Sequence, residues 1–253
     1  MALIREDPNI YILPKIEPAN LKQMRCLEKG NEKSVDIRVP DPDDEFFDYS
    51  KIKKGDVIHF VDTNDEVLRV GVNAVRKYER VEQLLVMETL KKVWPNMRFQ
   101  QAVEKCLSFG DYKDNIKEFG IYALSFFKLP TYVAGPYTDY QNRSDDVIIA
   151  NKDKAVEYGS QVALLGYPSF VPHSAYLFWE KLDGFNPKLC EGLELHMLEL
   201  CYSFYLIESS PGADYELEVA KERKMPIFTS LDDIKYWRPS SVYEEKVIGR
   251  SKK

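Results

Sequence analysis

Short apolar runs and helical periodicity alternate through the second half of the chain. Tyr132-Val133-Ala134 reads as a buried strand ending in Gly135-Pro136. Ile148, Ala155, Tyr158, Val162 and Leu165 then share one face of a helix. Ser169-Phe170-Val171 reads as strand, residues 188–200 as helix, and Phe204-Tyr205-Leu206-Ile207 as strand. A helix opens at Ser210, and Pro226-Ile227-Phe228 is a last strand. This βαβα order predicts a parallel sheet covered by helices. Ligands of such sheets sit beyond the carboxyl ends of the strands. Gly135-Pro136-Tyr137 and Ser210-Pro211-Gly212 both stand at such ends.

The first half follows another pattern. Residues 51–56 read as a turn, Val57-Ile58-His59-Phe60-Val61 as a strand and Asn64-Asp65 as a hairpin signal. Val67 to Val72 is the returning strand. Helical periodicity from Val81 to Val93 is stopped by Pro95, and Gly120 to Phe127 is a closing strand. The pattern changes at Lys128-Leu129-Pro130. The division predicted is therefore a β-rich unit over 1–128, an α/β unit over 129–240 and a tail over 241–253.

Composition narrows the function classes. The 253 residues are 44% hydrophobic and 30% charged, as in ordinary globular chains. A formal net charge of -6 argues against broad nucleic-acid binding, although it does not exclude a local basic groove. No run approaches the roughly 18 apolar residues of a membrane helix, and the first residues lack the pattern of a signal peptide. The four cysteines have no CxxC spacing and read as reduced thiols of a cytoplasmic protein. The three histidines are far apart in sequence and do not suggest a metal motif.

One acid stands out. On a helix opened by Ser210 and Pro211, residues Ala213, Leu217, Val219 and Ala220 form an apolar stripe, and Glu216 falls inside it. A carboxylate on a buried stripe is costly unless something uses it. The helix N-terminus beside it, with Ser and Gly, is suited to an anion. Together they point to chemistry on a phosphorylated small molecule.

Tyr132-Val133-Ala134-Gly135-Pro136-Tyr137, Pro168-Ser169-Phe170-Val171-Pro172-His173 and Ser210 to Leu217 together resemble the nucleoside 2-deoxyribosyltransferase superfamily, over about residues 130 to 238. That superfamily includes N-glycosidases acting on nucleoside 5'-monophosphates. The resemblance implies a flavodoxin-like α/β fold with Glu216 as nucleophile at the sugar's anomeric carbon. It implies Tyr132 as the residue holding the acid or sugar, and a second carboxyl group at Glu194, where relatives often carry Asp; Glu191 or Glu208 could substitute. It also implies Ser210 as a phosphate contact, with Gly135, Pro136, Tyr137, Gly212 and His173 around the substrate. The free-nucleoside branch more often carries an Asp in the Ser210 loop, so Ser210 favours a monophosphate. Relatives complete their sites with a neighbouring subunit, which implies a homodimer or larger assembly.

The first half has its own resemblance. Gly30 to Arg38, then Ile52 to Phe60, then Val72 through Leu85, resemble an ASCH domain, a PUA-related β-barrel. Some members hydrolyse modified cytidines with a Lys and a hydroxyl residue. Lys33 matches the first, but Asp36 stands at the hydroxyl position. The resemblance implies a module for RNA or modified-base recognition, with Lys33 and Arg38 in its pocket.

The expectation is hydrolysis of the N-glycosidic bond of a nucleoside 5'-monophosphate, with an ordinary or a modified base, giving free base and (deoxy)ribose 5-phosphate; the resemblance implies neither a metal nor an organic cofactor. Base exchange between deoxynucleosides and a nucleotide sensor without turnover are the alternatives. Plainer readings compete at each residue. Glu216 could face water, Ser210 could only cap its helix, and Tyr132 could be core. His173 could be structural, Glu194 a solvated helix acid, and Lys33 and Arg38 a solvated sheet edge.

Overall fold

The computed structural model describes residues 8–28, 32–42, 48–138, 144–179 and 187–236. Gly30 and Asn31 of the ASCH-like motif and the 241–253 tail lie outside them. The chain divides into two units between Lys128 and Leu129.

In the first unit the hairpin signal is met. Strand β1 (Ile10–Ile16) and helix α1 (Pro18–Arg25) precede β2 (Val35–Arg38), β3 (Val57–Asp62) and β4 (Val67–Tyr78). Between β3 and β4, Asp65 takes a left-handed φ of 64°. The Asp62 carboxylate accepts the N–H groups of Asn64 at 2.8 Å and Glu66 at 2.9 Å, which closes the turn. With β5 (Ile121–Lys128) these strands form a mixed sheet in the order β1-β3-β4-β5-β2, curled into half a barrel. A register shift between Val72 and Ala74 bends the long strand β4 against β5. Strand β1 pairs parallel with β3 at one edge, where the missing N–H of Pro14 is tolerated.

Helices α2 (Val81–Met87), α3 (Leu90–Val93), α4 (Phe99–Leu107) and α5 (Tyr112–Phe119) connect β4 to β5. They close a core around Leu84, Val93, Ala102, Cys106 and Ile121. The single helix expected from Val81 to Val93 is two helices, broken at Thr89, whose φ is 67°. The cause lies at Glu88, the residue that caps the first of them at its C-terminal end. Its carboxylate accepts both guanidinium N–H groups of Arg76 and the Tyr78 hydroxyl, each at 2.5 Å. Pinned to β4, that end of the helix cannot continue.

The second unit contains β6 (Thr131–Ala134), α6 (Asp145–Leu164), β7 (Ser169–Phe170), α7 (Pro172–Trp179), α8 (Pro187–Leu200), β8 (Ser203–Leu206), α9 (Pro211–Glu222), β9 (Ile227–Phe228) and α10 (Leu231–Tyr236). Its four strands are all parallel, in the order β7-β6-β8-β9. This is the flavodoxin-like arrangement, in which the chain steps to one side of the first strand and returns on the other. The loops leaving β6 and β8 therefore part and open a crevice at their carboxyl ends. Helix α6 lies close against the chain after β7, since a Cβ on Gly159 would come within 2.4 Å of Val171 Cγ2. Among the described residues, no helix is long and apolar enough to cross a membrane.

Candidate active site

The site is built on α9. Ser210 is its N-cap, and the Ser210 hydroxyl accepts the Ala213 N–H at 3.3 Å. Ala213 and Ala220 are buried, and Leu217 and Val219 pack beside them, so the expected stripe faces the sheet. Glu216 lies half-buried on that side of the helix. The Tyr132 hydroxyl donates to Glu216 Oε1 at 2.6 Å. Tyr132 itself is fully buried, its ring stacked on Phe204 with centroids 5.7 Å apart and 9° between planes. Phe170 closes the other contact at 5.6 Å. Tyr132 is thus a core residue and a site residue at once, because aromatic packing fixes where the phenol points.

Burial raises the Glu216 carboxyl to about 7, while the Tyr132 hydrogen bond pulls it the other way. Burial, and then the Glu216 carboxylate, push the Tyr132 phenol far up, so it stays a donor. An acid titrating near neutrality in a cleft marks a candidate reactive group.

A cavity of about 290 Å³ lies beside Glu216, near the lower end of the roughly 300–1,000 Å³ common for ligand sites. Of the expected residues, Gly135, Tyr137, His173, Glu194, Ser210, Gly212 and Glu216 line it together. Tyr132 reaches it through its bond to Glu216, and Pro136 gives its carbonyl to His173 at 2.9 Å. Glu194 is only 7% exposed, and Glu191 stands one turn before it on the same wall. A Cβ on Gly212 would meet nothing within 4 Å, so the backbone at the start of α9 is open to a ligand. Glu208 is elsewhere engaged, its carboxylate accepting from Lys154 Nζ at 2.6 Å.

Lys152, which carries no motif, also stands near the site. It is 7% exposed, with Nζ 5.0 Å from the centroid of the Tyr137 ring. The Asn151 side chain donates to the Tyr137 carbonyl at 3.4 Å. Both residues contact Tyr137, which lines the cavity. The signal was present, since Lys152 shares the buried face of α6 with Ala155, Gly159 and Val162.

Lys33 and Arg38 belong to the first unit and form a different constellation. The reading of both as a solvated edge is corrected, because Lys33 is 2% exposed and the Arg38 side chain 17%. Lys33 Nζ is 3.1 Å from Asp36 Oδ1, and Arg38 Nε donates to Asp36 Oδ2 at 2.8 Å. Lys33 also lies 5.9 Å from the centroid of the Trp94 ring.

Among the described residues, no group of three or more His, Cys, Asp and Glu is placed to hold a metal ion. No known family's sequence profile matches the chain, and no curated protein matches it. Among solved structures it is similar to hypothetical protein PH0355, with 21% identity and a TM-score of 0.37 over 46% of this chain and 96% of that one. It is also similar to protein PF0455 from Pyrococcus furiosus, with 23% identity and a TM-score of 0.34 over 46% of this chain and 94% of that one.

Proposed function

We propose that the second unit hydrolyses the N-glycosidic bond of a nucleoside 5'-monophosphate. The observation that carries the reading is the Tyr132–Glu216 hydrogen bond of 2.6 Å on the wall of the cavity, one turn from an open helix N-terminus. The phosphate sits at that N-terminus, where the Ser210 hydroxyl and the Gly212 N–H can donate. The sugar then lies over Glu216. A bond forms between a Glu216 oxygen and C1' as the C1'–N bond breaks, and its electron pair leaves with the base, which takes up a proton. The developing oxocarbenium charge is stabilised by the carboxylate. Water then attacks the glycosyl ester, releases the sugar phosphate and restores Glu216. Glu194, buried on the facing helix, supplies the second carboxyl group, for the sugar hydroxyls or the departing base.

A screen of nucleoside monophosphates and their parent nucleosides for free base tests the reading. Base release from a monophosphate, at least about tenfold faster than from its nucleoside, is expected if the helix N-terminus binds phosphate. Absence of base release from every monophosphate defeats the proposal. New nucleoside formed on addition of free adenine would instead assign base exchange.

The Tyr132 hydroxyl sets where Glu216 ionises. Its hydrogen bond favours the carboxylate, so Tyr132→Phe leaves burial unopposed and moves the acid above about 7. Attack needs the ionised form, so the rising limb of the pH–rate profile should move to higher pH. Activity at pH 6 should fall about tenfold, for the loss of a hydrogen bond to a charged group, and recover in part at pH 8. A uniform loss at both pH values would make the hydroxyl a direct sugar contact instead.

A further inference from the structure

The turn that follows β6 is held from outside itself. Gly135, Tyr137 and Thr138 line the cavity, and Pro136 among them has no N–H to give to a backbone bond. On the β8 side the Ile207 N–H donates to the Ala134 carbonyl at 2.8 Å, and a Cβ on Gly135 would come within 3.2 Å of Ile207 Cβ. On the α6 side the Asn151 amide reaches the Tyr137 carbonyl at 3.4 Å, near the limit of a hydrogen bond. The short bond comes from α7. His173 Nε2 lies 2.9 Å from the Pro136 carbonyl, which can only accept, so Nε2 carries the proton. The His173 ring also meets the Tyr137 ring, with centroids 5.8 Å apart and 58° between planes.

Neither ring nitrogen of His173 is free for a substrate. Nε2 is engaged by Pro136, and Nδ1 is enclosed by protein, with neither accessible surface nor a hydrogen-bond partner among the described residues. Burial lowers the basicity of the ring, the backbone of Pro136 and Gly135 pulls it partly back, and Lys152 lowers it further, so the ring is neutral at pH 7. An enclosed acceptor without a donor costs stability. An apolar side chain at 173 would avoid that cost and would lack only the bond to the turn. Resting on the glycosidase reading, we infer that His173 is a positioning residue: through the Pro136 carbonyl it fixes the turn over 135–137, against which the sugar phosphate is placed, and it touches no reacting atom itself. A shift of about 1 Å in such a wall would misplace the sugar over Glu216 and can cost about a hundredfold in rate. The Tyr132–Glu216 bond is made by other residues, so the ionisation of the acid does not depend on His173.

Two variants of the full chain test the role. His173→Leu removes the donor, and His173→Gln keeps an amide N–H near the place of Nε2. Base release from CMP, UMP, AMP, GMP and their deoxy forms is followed across pH. His173→Leu is expected to lower kcat/KM at least about tenfold, with the rising limb of the pH–rate profile left where the parent has it. His173→Gln should stay within about threefold of the parent. Gly135→Ala presses the same turn from the Ile207 side, so it reads the turn even where the leucine variant does not fold. It should lower kcat/KM with the same unmoved limb, and less than multiplicatively when combined with His173→Leu. A limb that moves in His173→Leu would overturn the inference in favour of a part in the acid–base chemistry. Parent-like kcat/KM in His173→Leu or in Gly135→Ala, or a loss that glutamine does not restore, would also overturn it, and each leaves the glycosidase reading intact. Calorimetric binding of ribose 5-phosphate and 2-deoxyribose 5-phosphate separates the two ideas. If no monophosphate is cleaved, the glycosidase reading fails. The positioning role then stands if these sugar phosphates bind the parent and bind His173→Leu at least about tenfold more weakly, and it falls if they bind both alike or neither.

Discussion

Glu216→Gln is expected to lower base release at least about a thousandfold and to make the protein harder to unfold above pH 7. The two effects have one origin. Glutamine keeps an oxygen for the Tyr132 hydroxyl and nearly the same volume, so the wall of the cavity persists. It loses the charge and nucleophilicity that attack on C1' requires. The same charge is a burden on the fold. Burial lifts the Glu216 carboxyl from its ordinary 4.5 to about 7, so between those values the folded state holds a proton that the unfolded state has released. Stability from this group is therefore present below about pH 4.5, declines as pH rises toward 7 and stays low above it. At about 1.4 kcal/mol per pH unit the decline is on the order of 3 kcal/mol. The variant does not titrate and escapes it. Unfolding curves at pH 5 and pH 8 should show the variant's advantage small at the lower pH and near its full size at the higher. An advantage of equal size at both would mean that Glu216 is an ordinary solvated acid, and full activity in the variant would remove it from the chemistry.

What could be read from the chain and what could not differ in physical range. The start of α9 is local chemistry. A capping Ser, a Pro that suits the first turn and an acid inside an apolar stripe are all visible within ten residues. The Asn64-Asp65 turn is equally local. The Tyr132–Glu216 bond joins residues 84 apart, and its length follows from β6 lying beside β8 with Phe204 beneath the phenol. The residues implied their roles by resemblance, but no spacing in the chain could place the two oxygens. The break between α2 and α3 is non-local in the same way, since it depends on Glu88 being held by Arg76 and Tyr78 of a strand. Strand β1 was hidden by Pro14, which a strand tolerates only where its N–H faces outward, and edge position is a property of the sheet. Helix α4 is legible in the chain, since Ala102, Val103 and Cys106 stand at helical spacing. In the sequence Lys33 and Arg38 fit a solvated sheet edge as well as a pocket, and burial of three ions is rare. Their mutual pairing makes it tolerable.

That pairing sets the second large effect, in the first unit. Asp36→Asn is expected to destabilise the protein by about 3–5 kcal/mol at neutral pH, the range for removing one member of a buried ion group. Asp36 and Arg38 lie two residues apart on β2 and so share a face, with Lys33 reaching the other carboxylate oxygen. Burial opposes ionisation of Asp36, but Arg38 and Lys33 beside it outweigh that and bring its carboxyl below the usual range. Its contribution is therefore present above the ordinary aspartate value and is lost as pH falls through the lowered one. Asparagine can accept one hydrogen bond but leaves two buried cations facing each other near Trp94 and Tyr112. Urea unfolding should show the full deficit at pH 7 and one smaller by up to about 1 kcal/mol near pH 3, since no more than about 1.4 kcal/mol per pH unit is lost below the ordinary value of 3.8. The pair Lys33→Met with Asp36→Asn should recover part of the loss, since it removes the more buried of the two repelling charges. A deficit below about 1 kcal/mol at pH 7 would put the group within the range of exposed ion pairs. It would return Lys33 and Arg38 to the role of free cations, open to an anionic partner. A full deficit fixes Asp36 as the counter-ion of both, which leaves Lys33 neither a free amine for hydrolysis nor an unopposed charge for phosphate.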